Sequence, residues 1–256
     1  MTNIKYGIIG GSGFYHPDLL KDVREIQLET PYGEIKPLIG WLDKLEVAFL
    51  PRHGQDHSVL PHQVNYRANI WGLHSLGVEK IIATTAVGSF KPELPPGSMM
   101  IADQFLDFTK NRVATFYEQG DVQKAHIDIT EPYCPALRVF LGKAAAKINL
   151  PVQIGGCYVC AEGPRYETAA EIRMFRMLGG TVVGMTGIPE VVLARELGIC
   201  YANLSTVTNW AAGISVEPLN HTEVVQIMSL NKDKLRRLIG NFLLEVNDEL
   251  KCGCRR

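Results

Sequence analysis

Glu167 and the pair Met185-Thr186 are the residues whose types and settings most suggest chemistry. Both lie in residues 162–190, EGPRYETAAEIRMFRMLGGTVVGMTGIPE. A carboxylate that follows a Gly-Pro turn and an aromatic, Tyr166, suits a flat heterocycle offering an N–H. A Met-Thr pair that closes the apolar run 181–184 suits a sugar face beside an anion. Together they imply a site for a nucleoside and a phosphate.

Four other segments bear on that reading. Gly10-Gly11-Ser12-Gly13 can bring backbone close to an anion, with the Ser12 hydroxyl as a donor. It is not a dinucleotide fingerprint, because the third glycine is missing, and it has no P-loop lysine. In Pro51-Arg52-His53-Gly54, a guanidinium and an imidazole can hold two faces of one phosphate. The plain alternative is a surface turn with two solvated side chains. His57 and His62 follow without cysteine or carboxylate partners at metal-ligand spacing, so no metal is expected. Residues 84–89, TTAVGS, offer a hydroxyl and backbone N–H groups after a strand. Asn209 also follows a strand and carries both a donor and an acceptor. An amide can address N7 and O6 of a 6-oxopurine while the Glu167 carboxylate accepts from N1–H. Without Glu167, a structural asparagine in a turn would be the better reading.

These residues must be positioned by the elements around them. Strand-like runs at 6–9, 46–50, 80–84, 157–160, 181–184 and 200–206 alternate with helical patterns at 66–76, 135–148, 169–178 and 191–197. A long amphipathic helix over 222–250, with a break expected at Asn231, closes the chain. The alternation predicts an α/β fold with a largely parallel sheet, and the polar segments gather at strand ends, where such sheets bind ligands. The pattern predicts one domain over 1–256, with 251–256 a flexible tail. The polar stretch 110–130 has the least pattern and reads as a long functional loop or a contact surface.

Composition narrows the classes. The 256 residues carry a formal net charge of −1, with 46% hydrophobic and 21% charged residues, so neither a nucleic-acid nor a membrane-surface binder is indicated. No apolar run approaches the roughly 20 residues needed to span a bilayer. The N-terminus has no signal-peptide pattern, so the expectation is a cytoplasmic protein. Of the six cysteines, Cys134, Cys157, Cys160 and Cys200 sit in or beside apolar segments and read as small packing residues. Cys157-x-x-Cys160 lies on a strand, where residues three apart face opposite sides, and no second pair follows at zinc spacing. Cys252-Gly-Cys254 can form a labile disulfide, but in a reducing compartment it reads as a bland tail.

Taken together, GGSGF, ETPYGE, RHG, PHQVNYRANIWGL, AVGS, EGPRYETAAE, GMTGIPEVVLARE and TNWAAG resemble the trimeric purine nucleoside phosphorylases, with the methylthioadenosine and methylthioinosine phosphorylases as the nearest branch. The motifs run in the family's order from about residue 7 to residue 225. The resemblance implies a single α/β domain with a mixed central sheet flanked by helices, assembled as a homotrimer. It implies phosphate contacts from Ser12, Arg52, His53, Thr85, Ala86 and Thr186. Met185 would lie beneath ribose and purine, with Asn209, Trp210 and Ala211 around the base and Glu167 as the second base reader. Asn209 and His53 would be the catalytic residues. The segment at His126 would reach a neighbouring subunit's site near the sugar 5′ end.

Departures from the pattern sharpen the expectation. Adenosine-type members carry aspartates where this chain has Asn209 and Ala211, and a small hydroxyl residue where it has Glu167. Both changes favour 6-oxopurines. His221, in LNHTEV, resembles the histidine with which 6-oxopurine phosphorylases hold the ribose 5′-OH; members that take a 5′-methylthio group have an apolar residue there. The expected reaction is phosphorolysis of inosine or guanosine to free purine and pentose 1-phosphate, with orthophosphate as co-substrate and no metal or organic cofactor. The rival readings are an S-methyl-5′-thioinosine phosphorylase, a nucleosidase in which water replaces phosphate, and a non-catalytic nucleoside-binding protein.

Overall fold

In the computed structural model, which describes residues 4–118, 125–215, 218–246 and 252–254, the chain builds thirteen strands and five helices among the described residues. The strands are β1 (Tyr6–Gly10), β2 (Lys21–Glu25), β3 (Leu28–Thr30), β4 (Gly33–Ile35), β5 (Leu38–Leu42), β6 (Leu45–Pro51), β7 (Lys80–Ser89), β8 (Met99–Ile101), β9 (Gln104–Phe108), β10 (Gln153–Ile154), β11 (Cys157–Ala161), β12 (Val182–Gly184) and β13 (Cys200–Trp210). The helices are α1 (Tyr66–Ser75), α2 (Pro135–Lys147), α3 (Ala169–Met177), α4 (Glu190–Glu196) and α5 (His221–Glu245).

Strand β1, YGIIG, is buried along its whole length. That requires cover on both faces, as parallel strands have. Tyr6 and Ile8 point into a core shared with Leu137 and Leu141 of α2 and with Leu238 and Phe242 of α5. Ile9 points into the opposite core, with Ile70 and Leu73 of α1 and Val191 and Ala194 of α4. The sheet runs β10-β8-β13-β7-β1-β6-β5-β2, and β9, β11 and β12 join it through β7. Its centre, β13-β7-β1-β6, is parallel, whereas β5, β2 and β8 pair antiparallel. The sheet is therefore mixed, with helices on both faces. No helix among the described residues is long and apolar enough to cross a membrane.

The expected helices form within a residue or two of their predicted ends, except that α5 stops at Glu245, with Val246 extended, and shows no break at Asn231. That residue is buried, its amide donates to the Ile227 carbonyl at 2.9 Å, and its oxygen accepts from Lys234. A polar residue satisfied inside its own helix does not interrupt it. Residues 247–250, the expected end of that helix, lie outside the described residues, as do 251, 255 and 256 of the expected tail.

Two strands run further than predicted. β7 continues to Ser89 and β13 to Trp210, pairing with each other throughout. Thr85, Ser89 and Thr208, which read as loop positions, are buried, as are Thr84, Asn203, Ser205 and Thr206 within the predicted strands. They bond one another in places: Thr85 Oγ1 lies 2.9 Å from Ser205 Oγ, which donates to Asn203 Oδ1 at 2.6 Å. The short strands β2, β3, β4, β5, β8, β9 and β10 are not anticipated from periodicity.

Candidate active site

β7 changes partner along its length, and this creates the site. It pairs with β1 up to Ile9↔Ala83, then takes β12 from Gly88↔Val183. Between these points its edge faces a cavity of about 430 Å³, within the range of small-molecule sites. The walls come from the ends of β1, β6, β12 and β13 and from the α3 and α5 N-termini. This is the crevice at which open α/β sheets bind ligands.

At the anion end, Ser12, His53, Thr85, Ala86 and Thr186 line the cavity. The Gly11 N–H donates to Thr84 Oγ1 at 2.9 Å, tying the glycine turn to β7. A Cβ at Gly11 would lie 2.4 Å from the Thr84 carbonyl oxygen, so no larger residue fits there. His53 Nδ1 lies 2.7 Å from the Val59 carbonyl, which can only accept, so Nδ1 carries the proton. Burial and the neighbouring Arg52 charge lower the His53 pKa to about 4. The ring is therefore neutral near pH 7, and Nε2 is an acceptor.

Arg52 differs from the expectation of a direct phosphate ligand, since its side chain does not line the cavity. Its Nε and Nη2 form a bidentate pair with Glu190 at 2.8 and 2.7 Å, and Nη1 donates to the Thr84 carbonyl at 2.8 Å. Glu190 also accepts from Tyr201 Oη at 2.6 Å. Burial alone would lower the Arg52 pKa, but Glu190 more than offsets it. Nη1 still sits directly behind the glycine turn, 2.8 Å from where a Gly11 Cβ would be. Thr85 differs similarly: its hydroxyl is in the buried Ser205–Asn203 network.

The opposite end holds the base readers. Glu167 immediately precedes Thr168, the N-cap of α3, which forms a capping box with Glu171. Arg165 pairs with Glu171 at 2.8 and 2.9 Å. The turn carrying Glu167 is thus held on both sides. Its carboxylate is buried, and Oε1 has no hydrogen-bond partner. Burial raises its pKa to about 6.

Asn209 stands opposite, on β13. Its Oδ1 accepts from Thr208 Oγ1 at 2.9 Å, and its Nδ2 donates to the Trp210 carbonyl at 2.9 Å. A carbonyl cannot donate, so the amide orientation is fixed by chemistry. One N–H and one lone pair remain. The β13 register shifts between Val207 and Asn209, a bulge that lets consecutive Thr208 and Asn209 both line the cavity. Met185 lines the floor against Gly163, where a Cβ would lie 2.7 Å from its Sδ. Trp210 and Ala211 do not line the cavity. Trp210 orients Asn209 through its carbonyl, and Ala211 N–H anchors the strand end on Ser89.

Between the two ends lie the histidines. His57 Nε2 is 3.3 Å from Ser12 Oγ, and its ring packs edge-on against His53 and nearly parallel to His221, with centroids 4.9 and 6.1 Å away. Burial and the His221 charge lower the His57 pKa. His221 is the first residue of α5, and Asn220 caps that helix by accepting from Glu223 N–H at 2.9 Å. His221 both opens the helix and lines the cavity, beside the apolar wall of Val59, Leu60, Pro61 and Val224. His126 is exposed and does not line the cavity of its own chain.

Comparison with known proteins agrees with this geometry. Residues 5–244 match the family model described as the phosphorylase superfamily. The chain belongs to the phosphorylase superfamily. Within this superfamily it is 52% identical over 252 residues to a probable 6-oxopurine nucleoside phosphorylase of Dictyoglomus turgidum, covering 98% of this chain and 95% of that one. It is 50% identical to an S-methyl-5′-thioadenosine phosphorylase of Pyrococcus horikoshii, covering 98% and 96% of the two chains. The crystal structure of a methylthioadenosine phosphorylase from an antarctic soil metagenomic library superimposes with a TM-score of 0.91 at 37% identity, over 99% of this chain and 90% of that one.

Three residues of this superfamily member escaped the sequence reading. His57 has no partner at metal-ligand spacing in the sequence, and only the fold brings it onto Ser12 and His221. Glu190 lies in the quoted motif GMTGIPEVVLARE, but nothing in its spacing ties it to Arg52. Arg112, in the pattern-poor stretch 110–130, donates to the carbonyls of Ile188 and Glu162 at 2.7 Å each, bracing the two turns that flank the base end.

Proposed function

We propose that this chain catalyses phosphorolysis of 6-oxopurine nucleosides, inosine and guanosine, to free purine and pentose 1-phosphate. The observation that carries the proposal is that Glu167, whose buried Oε1 has no partner, lines the same cavity as the half-satisfied amide of Asn209. A buried acceptor without a donor costs about 1–3 kcal/mol, and a 6-oxopurine N1–H relieves it. Adenine presents a bare N1 at that point and leaves the carboxylate unpaired.

The remaining valences of Asn209 match the departing base. Its one free N–H suits O6, and its one free lone pair suits an N7–H. Both are engaged only when N7 is protonated, as the glycosidic bond breaks. The amide therefore binds the leaving group more tightly than the bound nucleoside, which is how binding lowers a barrier. Orthophosphate supplies the nucleophilic oxygen at C1′, so no protein nucleophile is needed. Ser12, the glycine turn, Ala86 and Thr186 hold the phosphate. His53 Nε2 accepts from a protonated phosphate oxygen, and Arg52 contributes its charge through the Gly11 turn. No metal or organic cofactor enters the reaction. The enzyme acts as a cytoplasmic homotrimer, in which the exposed His126 approaches a partner's site.

The deciding assay is hypoxanthine release from inosine with and without phosphate. Release that needs phosphate, and drops when Glu167 becomes Gln, supports the proposal. Equal release in phosphate-free buffer points to a nucleosidase, and tight binding without turnover points to a binding protein. S-methyl-5′-thioinosine is the second substrate to compare, because Val224 and the Val59-Leu60-Pro61 wall also suit a thioether. His221, which lines the same cavity, offers a ring nitrogen that suits the hydroxyl.

A further inference from the structure

Far from the cavity, the described C-terminal residues fold back onto the body of the protein. Cys252 and Cys254 meet Cys134, the N-cap of α2, and Cys200, the first residue of β13. All four are free thiols; Cys134, Cys200 and Cys254 are buried and Cys252 is half-buried. Their sulfurs all lie within 4.8 Å of one another, and Cys200 and Cys252 are 3.4 Å apart. We propose that these four cysteines bind one zinc ion as a structural tetrathiolate that clamps the C-terminal segment to α2 and β13.

The geometry and the surroundings both fit. With Zn–S bonds of about 2.3 Å, the sulfurs of a tetrahedral site are about 3.8 Å apart, so the cluster needs only sub-ångström adjustment. Two ligands are pinned by backbone: Cys134 N–H donates to the Tyr201 carbonyl at 2.8 Å and Cys200 N–H to the Glu79 carbonyl at 2.9 Å. Binding releases the four thiol protons and leaves the site with a net charge of −2, without oxidation. Two features favour that charge. The Cys134 thiol sits at the positive end of the 13-residue helix α2. Lys80, the register partner of Cys200, is buried on the same side of the sheet, over the Tyr6 ring. A hydrophobic role would account for one or two buried cysteines. It does not call for four sulfurs from three separate segments to converge on one point. An all-sulfur set selects a soft, thiophilic ion over magnesium or calcium.

The clamp is separate from the chemistry. Asn209 is nine residues along β13 from Cys200, roughly 30 Å at strand rise. The test is zinc per chain on untagged protein expressed with supplemental zinc. One zinc per chain is expected, falling at least tenfold in the double variant Cys252→Ser, Cys254→Ser and staying at one in Cys157→Ser. Because the double variant leaves the buried Cys134 and Cys200 in place, it should stay folded. It is expected to unfold at lower temperature while keeping its inosine turnover at room temperature within twofold. Cobalt added to demetallated parent protein should give the intense visible absorption of a tetrahedral thiolate site, absent from the double variant. Full thiol titration with no bound zinc would overturn the proposal. So would an intact mass short by two hydrogens per bond, the mark of disulfides.

Discussion

The two ends of the cavity are finished to different degrees. At the anion end, the charged and hydroxyl side chains named by the motifs already have partners: Arg52 holds Glu190 and Thr84, and Thr85 belongs to the Ser205–Asn203 network. What is left to face the ligand there is the glycine turn with Ser12, Ala86, Thr186 and one imidazole nitrogen of His53. At the base end, Glu167 and Asn209 line the cavity and keep open valences. One end is a rigid cradle stabilised by the fold; the other is a reader that the fold holds at a cost. Substitutions at the first should therefore be felt mainly as stability, and at the second mainly as activity and selectivity.

The largest effect should come from the cradle. Glu190→Gln leaves the Arg52 guanidinium buried without its counter-charge, which typically costs about 3–5 kcal/mol. Urea unfolding should show that loss as a lowered midpoint. A loss below about 1 kcal/mol, taken as the midpoint shift times the slope, would mean the pair is not what fixes the anion end.

Glu167→Gln should do the reverse. The Glu167 pKa is raised from 4.5 to about 6, so the folded state binds more protons than the unfolded state between those values. The parent thus loses stability as pH rises through that window, by about 2 kcal/mol at 1.36 kcal/mol per pH unit, and stays lower above it. The variant should be more stable than the parent at pH 8 and equal to it below pH 4.5. Its kcat/KM for inosine should fall roughly 5- to 150-fold, from about 1–3 kcal/mol for a lost buried hydrogen bond. A variant both less stable and fully active would erase the contrast between the two ends.

Selectivity sharpens the comparison further. Asn209→Asp places an acceptor against O6 and should lower inosine kcat/KM by about the same 1–3 kcal/mol while raising that for adenosine. If inosine turnover is unchanged, Asn209 does not read the base. In pH profiles, inosine kcat/KM should fall on acidification below about pH 6, as Glu167 takes up a proton, and Glu167→Gln should remove that limb. The smallest effect is expected at the sugar. His221→Met should lower inosine kcat/KM about fivefold, near 1 kcal/mol, and favour methylthioinosine. An unmoved ratio between the two substrates would show that the imidazole is not the 5′ contact.

The same contrast separates what could be read from sequence from what could not. The central strands and all five helices follow from apolar runs and caps, and the site falls at strand ends as an α/β alternation requires. Glu167 and Asn209 were legible because a polar group beside a turn or at the end of an apolar run has few structural excuses. Arg52 was legible as important, but its partner was not: Glu190 is 138 residues away, and only the fold brings the two together. The polar end of β7 reads as a loop because Thr85 is satisfied across the sheet by Ser205 and Asn203, which periodicity does not register. Thr168 with Glu171 is a capping-box spacing, and it marks the α3 start that fixes Glu167.

The bulge at Thr208 carries a consequence for how such a site can change. Upstream of it, β13 stays in step with β7 from Cys200 to Val207; downstream, the frame moves by one residue. The reading frame of the core and that of the base site are thus uncoupled at a single joint. Exchanges at position 209 can alter the base accepted without passing a register change back into the sheet, so new specificities can be inherited as local edits while the scaffold is copied unchanged.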